Sequence, residues 1–392
     1  PEGAQSSTAI LNMPDGILLQ ELPFSIELRK FIVEYYSTGM PKLFASEIVI
    51  HDRETGEKLP ARVEVNRPAS YKGVEIYQSS FDDGGSRVKL QAVPLRSDVR
   101  RFDVEGQVGG STEISNARER LALEFTGLRV INVEDMGSGR PREDVASGPV
   151  DVRSVIEARL GAGHKTTSRK ELKNVGPSIS YKLRDSAGQA REFQNYMLPI
   201  DMGDGVSVFL LGSREKPSDP MRYMRVPADD KGTMEEFSQL RLALDDEVLR
   251  GEAVRRYVAQ SVDPSRRDLT EQLNQSAGRA LALFAGLRAT AGPRSGGLQA
   301  VSDFIESNVP EAERGRAGEV IVRILNGVLY TLDGMVRERA GLKPREAGPA
   351  TQAFMTQAVL ALSDTFVYPA PMAFQLQDFT QVQASVFQVT RA

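Results

Sequence analysis

The chain has 392 residues, and its 49 Lys and Arg nearly balance its 53 Asp and Glu, with no long block of either sign, so it carries no electrostatic footprint for nucleic acid. The absence of cysteine excludes disulfides, thiolate catalysis, iron–sulfur clusters and Cys-type zinc sites. A 40% hydrophobic and 26% charged composition is that of a folded chain, and the length exceeds the roughly 250 to 300 residues at which single cores stop growing, so two substructures are expected.

The start, Pro1 to Thr8, looks like an arbitrary cut, with no signal-peptide pattern. From Leu22 to about Val226 the pattern is apolar–polar alternation punctuated by turn residues, the mark of half-buried strands. Strands are predicted at Ser25–Phe31, Ala45–His51, Arg62–Asn66, Val74–Phe81 and Arg87–Leu90. Asp52-Arg53-Glu54-Thr55-Gly56 and Asp82-Asp83-Gly84-Gly85 serve as hairpin turns. Further strands fit Arg101–Gln107, Leu121–Phe125, Ile179–Leu183, Phe193–Leu198 and Val206–Leu211. Gly137–Pro149 and Gly161–Pro177 read as loops around a short helix at Val152–Leu160.

The period changes at Thr233. Thr233-Met234-Glu235-Glu236 has the capping-box pattern, and Phe237, Leu240, Leu244 and Val248 follow at helical spacing. Leu269, Leu273, Ala280, Phe284 and Leu287 mark a second helix. Pro310 opens a longer one, with Ile321, Leu325, Val328, Leu332 and Val336 on one face before Gly341 and Pro344 stop it. Pro349–Phe366 repeats the scheme, and alternation returns at Pro371–Leu376 and Ala384–Val389. The expected class is α+β: antiparallel, sandwich-like sheets over 1–232, a helical-bundle insert over 233–367, and C-terminal strands over 368–392 returning to the β-rich part. No run of about 18 apolar residues is present to cross a bilayer.

No catalytic constellation stands out. His51 sits at a strand end and His164 in a Gly-flanked loop, and both read as structural or solvated rather than as haem or zinc ligands. Met221-Arg222-Tyr223-Met224 reads as packing. Gly161-Ala162-Gly163-His164-Lys165-Thr166 fails as a phosphate loop, because His164 separates the last glycine from the lysine. Asp82, Asp83, Asp201 and Asp204 fit turns, where Asp bonds its own backbone. No metal site is expected.

Val65-Asn66-Arg67-Pro68-Ala69-Ser70-Tyr71-Lys72-Gly73-Val74-Glu75-Ile76-Tyr77-Gln78-Ser79-Ser80-Phe81 resembles the VN-x-P-x-x-Y-x-G-x-x-x-YQ-S-S stretch of the ResB family of system II cytochrome c biogenesis proteins. Phe374 to Arg391 resembles the stretch that precedes the family's last membrane helix, and Leu22 to Phe44 fits its opening strands. Read by residue type, Asn66 and Pro68 end a strand, Tyr71 through Gly73 turn into the next, and Tyr77 points to one face.

The resemblance implies the large extracytoplasmic domain of a bacterial inner-membrane protein, with both ends on one membrane-proximal side. It also implies a CcsA-type haem-handling partner, apocytochrome c as the chain to be positioned for haem attachment at CXXCH, and Asn66, Pro68, Tyr71, Gly73, Tyr77 and Gln78 as candidate partner-binding residues. Haem is then handled by the full complex, with no cofactor on this domain, which lacks the cysteines of a direct reductant. The alternative reading is a structural or adhesion β domain, which flanking tandem β domains would favour over membrane helices.

Overall fold

The computed structural model describes residues 1–37, 41–115, 119–135, 172–203, 205–287 and 296–391. The expected helix at Val152–Leu160, the loop at Gly137–Pro149, His164 with its glycine loop, and Asp204 lie outside them. The class is α+β, and every strand pairing is antiparallel.

Strands β1 (Gln5–Met13), β2 (Gly16–Tyr35), β3 (Pro41–Asp52) and β4 (Lys58–Glu64) pair in sequence order. A second sheet holds β5 (Ala69–Tyr71), β6 (Val74–Asp83) and β19 (Gln383–Arg391), with β6 in the middle. Period-two alternation turns Ile48 and Ile50 inward while Glu47 faces solvent. The two sheets close on a small core of Phe24, Ile26, Leu28, Ile48, Ile50, Val63 and Ile76. Each such side chain contributes about 1.5–3 kcal/mol by leaving water.

Two further sheets build a larger unit. Strands β7 (Arg87–Pro94), β8 (Phe102–Gln107) and β18 (Met372–Thr380) form one, with β7 central. The other contains β9 (Ser111–Ser115), β10 (Arg120–Arg129), β13 (Ser178–Arg184), β14 (Ala190–Tyr196), β15 (Ile200–Asp201), β16 (Ser207–Arg214) and β17 (Arg222–Pro227). A two-stranded ribbon pairs β11 (Val133–Asp135) with β12 (Leu172–Asn174). That last strand occupies part of the stretch expected to be loop, because Asn174 Oδ1 accepts the amides of Asn132 and Gly176 and ties the segment down. Tyr181 stacks on Phe193 with centroids 5.1 Å apart and meets the edge of Phe374, from β18, at 5.3 Å.

The helices are α1 (Glu235–Asp245), α2 (Glu247–Ser261), α3 (Arg267–Phe284), α4 (Gly297–Asn308), α5 (Glu311–Arg339) and α6 (Pro349–Asp364). Leu325, Val328 and Leu332 are fully buried on the predicted face of α5. The helices share one continuous core with the larger unit's sheets, from Leu90 and Tyr181 to Leu240, Leu325 and Phe374. Polar contacts fix the docking: Ser238 Oγ donates to the Pro94 carbonyl at 2.7 Å and Gln357 Nε2 to that of Arg225 at 2.8 Å. After α5 the chain is strapped back by Arg345, which pairs with Glu236 at 2.6 Å and Asp333 at 2.8 Å and lies 3.7 Å over the Phe354 ring.

Several expectations are corrected. The first strand comes earlier than Ser25, since β1 begins at Gln5 and pairs with β2. Thr233 is not the N-cap; Asp229 serves the helix start, accepting from the Thr233 amide at 2.9 Å and the Glu236 amide at 3.3 Å. The helix expected to run through Val248 breaks at Asp246, whose carboxylate caps α2 through the amides of Val248 and Leu249, leaving Val248 exposed. Leu287 lies past the end of α3 and is exposed. Residue 1 packs beside Gly84 and Gln383 at the start of β19, and Arg391 sits opposite Val74 at its end.

Candidate functional site

The ResB-like stretch forms a corner at one end of the small sheet pair. Asn66 takes a φ of 65°, a left-handed conformation that Asn tolerates better than most residues. It reverses the chain so that Glu64 and Arg67 exchange two backbone hydrogen bonds of 3.0 Å. Half-buried Pro68, which has no amide to donate, precedes β5. Lys72 and Gly73 then both take positive φ, 45° and 72°, as a two-residue hairpin turn between β5 and β6 requires. A Cβ added at Gly73 would meet no atom within 4 Å, so the glycine is there for its backbone freedom and not for room.

The corner is clasped to the neighbouring sheet. Tyr71 Oη donates to Asp52 Oδ2 at 2.5 Å, Lys72 Nζ reaches the same oxygen at 2.7 Å, and the Tyr71 ring meets Phe24 edge-on at 5.3 Å. Asp52 Oδ1 accepts the amides of Glu54 and Thr55, holding the turn after β3. Lys72 first, then Tyr71 and the Thr55 amide, holds the Asp52 carboxyl well below the usual carboxylate range. In return, bonding to Asp52 raises both the Tyr71 hydroxyl and the Lys72 ammonium above their ordinary values.

Further along β6, half-buried Gln78 accepts from Ser46 Oγ at 2.5 Å, and that hydroxyl also lies 2.8 Å from Ser385 Oγ of β19. Tyr77 donates to Glu75 on the same strand. Tyr71 and Gln78 thus pin the corner to β3 at two points, and Tyr77 braces its own strand. Asn66 and Gly73 are exposed turn residues. The missed members are Asp52, Phe24, Ser46 and Ser385. Asp52 was visible as the first residue of a hairpin turn, and Ser385 lies within the second family-like stretch.

That second stretch meets the first directly. β19 pairs with β6 from Gln383 opposite Asp83 to Arg391 opposite Val74. Gly84 permits the entry, since a Cβ there would lie 3.1 Å from the Gln383 backbone and from Pro1.

The chain belongs to the ResB-like family. The match covers residues 1–392. Curated relatives include cytochrome c biogenesis protein CcsB of Picosynechococcus sp., 33% identical over 73 residues that make up 19% of this chain and 16% of the relative. CcsB of Synechococcus elongatus is 25% identical over 126 residues, 30% of this chain and 28% of the relative. A cytochrome c biogenesis protein of Porphyra purpurea is 36% identical over 81 residues, 19% and 18% of the two chains. The matched stretches therefore span less than a third of each relative. No solved structure matches this ResB-like chain.

The remaining candidates are placed as follows. His51 Nε2 lies 2.6 Å from Glu27 Oε2, both side chains mostly buried, so that nitrogen is engaged within the sheet. Met224 is buried in β17, as packing predicts. The Asp83 carboxylate accepts the amides of Gly85 and Ser86, and that of Asp201 the amide of Gly203, so both serve turns. Among the described residues no group of three His, Cys, Asp or Glu side chains converges as a metal site, and no helix is long and apolar enough to cross a membrane. A cleft of about 470 Å³ opens beside α1, α2 and α5, lined by Glu236, Leu249, Arg337 and Leu342 among others, and includes no residue of the corner.

Proposed function

We propose that this chain is the extracytoplasmic part of a membrane-anchored cytochrome c biogenesis protein. With a CcsA-type haem-handling partner, it positions apocytochrome c for covalent haem attachment at CXXCH. One observation carries the reading: the two family-like stretches, about three hundred residues apart in the chain, form adjacent strands of one sheet, β6 and β19. A β domain that merely shared composition with the family would have no reason to bring those stretches together. The names of the curated relatives support the same process.

The role proposed is positioning, without a catalytic residue. The corner's polar side chains are spent on holding it: Tyr71 on Asp52, Tyr77 on Glu75 and Gln78 on Ser46. With no thiol among them, these residues are not the direct reductant of the client cysteines. His51 is engaged by Glu27, which supports leaving haem ligation to the membrane partner.

The test is a titration of the purified chain with a fluorescent CXXCH peptide from an apocytochrome and, separately, with the extracytoplasmic loops of a CcsA-type protein. Saturable binding of either, weakened by substitutions of exposed corner residues such as Asn66→Ala, is the expected result. Absence of binding to both removes the positioning role.

A further inference from the structure

The projecting end of the β1–β2 ribbon, from Thr8 to Glu21, supplies no buried residue to the small core. β3 joins β2 only from Phe24 onward, so Gly16–Pro23 pairs with β1 alone. At about 3.4 Å per residue this ribbon projects roughly 25 Å beyond Phe24. Ile10, Met13, Ile17, Leu18 and Leu19 are each more than half exposed on it. Cross-strand partners share a face, so Ile10 and Leu19, with Ile17 next to them, form one apolar face, and Leu11 with Leu18 and Met13 forms the other. From Ala4 to Gln20 the only charged residue is Asp15, in the turn, and the only proline is Pro14 beside it.

Edge strands are ordinarily guarded by charge, proline or a covering element. β1 stands at the edge of its sheet and has no charged residue or proline of its own along Gln5–Met13, and among the described residues no strand pairs with its outer side. A lipid surface is a poor occupant, because hydrocarbon cannot satisfy the unpaired amides and carbonyls of an open edge. A second copy is also poorly matched. Antiparallel self-pairing of all of β1 sets Met13 against Gln5, Leu11 against Ser7 and Ile10 against Thr8, so each of its large apolar side chains faces a polar one.

The geometry points to the β1 edge as a strand-addition site for an extended, uncharged polypeptide segment with alternating apolar side chains. Main-chain hydrogen bonds to β1 hold such a segment, and Ile10, Ile17 and Leu19 on one face, or Leu11, Met13 and Leu18 on the other, give its apolar residues a dry surface. The inference deepens the proposed function and rests on it for the source of the segment, since an apocytochrome is an unfolded chain.

The experiment uses the whole chain and a capped, fluorescein-labelled peptide of roughly ten alternating Val and Thr residues, free of Cys and His. A second peptide of the same sequence is N-methylated on alternate backbone amides. Binding by anisotropy is expected for the first peptide, about tenfold weaker for the second, and about tenfold weaker for the Ile10→Lys/Leu19→Lys chain, whose substitutions are exposed and leave the cores untouched. Amide exchange should slow along β1 when the first peptide binds. The inference is overturned by absence of binding, or by equal affinity for the N-methylated peptide. It is also overturned by a dimer of the free chain, or attachment to neutral phosphatidylcholine vesicles, that the double substitution abolishes. Binding of the Cys-free strand with no binding of CXXCH peptides or partner loops removes the proposed function alone; the converse removes this inference alone.

Discussion

The small sheet pair closes on seven buried side chains, Phe24 to Ile76, and relies on polar clasps at its corner, whereas the larger unit runs one apolar core from Val88 through six helices to Phe374. The first family-like stretch and the β19 half of the second sit in the small unit. A thin core cannot hold a reversed corner by packing alone, so the positions that look like a signature are the positions that clamp it: a left-handed Asn66, the Lys72-Gly73 turn, and Tyr71 on Asp52. The larger unit, held by volume, has more freedom in which apolar residue stands where.

The largest effect that could break this contrast is Phe374→Ala. It removes a fully buried ring that touches Tyr181 and Phe102, and should cost ~3–5 kcal/mol. Hydrogen exchange should quicken together in β13, β14 and α1 while β2 and β3 keep their protection. Equal loss in both units would mean one cooperative body. Ile48→Ala, at about 2–4 kcal/mol, is the mirror experiment, with exchange rising in β2, β3 and β6 and α5 unchanged.

Smaller effects sharpen the picture. Asp229→Ala removes the acceptor at the start of α1 and should lower stability by about 1 kcal/mol, read from denaturant melting. Gly73→Ala places a Cβ in a left-handed conformation, and a loss of about 1 kcal/mol is expected with the circular dichroism of the native chain unchanged.

The last prediction is a pH dependence. The Asp52 carboxyl is depressed in the folded chain. Its stabilisation is therefore complete above the unfolded value of about 3.9 and fades as pH falls toward the folded one. The Tm difference between the native chain and Asp52→Asn should hold steady from neutral pH to about 5 and shrink below about 4. A gap that persists unchanged in acid would show that the clasp does not depend on the charge.

Much of the fold was legible where pattern and punctuation agreed. Pro310 and Gly341 bracket α5, and Pro371–Leu376 and Ala384–Val389 return as β18 and β19. The break at Asp246 was not legible, because the apolar spacing continues across it to Val248 and no glycine or proline marks it. α4 escaped notice within a Gly-rich stretch, and β17 behind its methionines. The β1–β2 ribbon escaped because both its faces are apolar, which erases alternation. At the corner, the turn residues were readable from Asn66, Pro68 and Gly73. The clasp was not, since Asp52 lies 19 residues before Tyr71 and only the packing of the β5 turn against the end of β3 brings them together.

The pairing of β6 with β19 also sets a timetable. β6 is complete at Asp83, yet its neighbour begins at Gln383. At roughly 5–20 residues per second of synthesis, some 15–60 seconds separate the two strands on the ribosome. During that interval almost all of the larger unit's chain is made, while one edge of β6 stands open. The nascent chain must therefore shield an unfinished sheet for as long as its helices take to be made, and the pairing that joins the two family-like stretches forms after them.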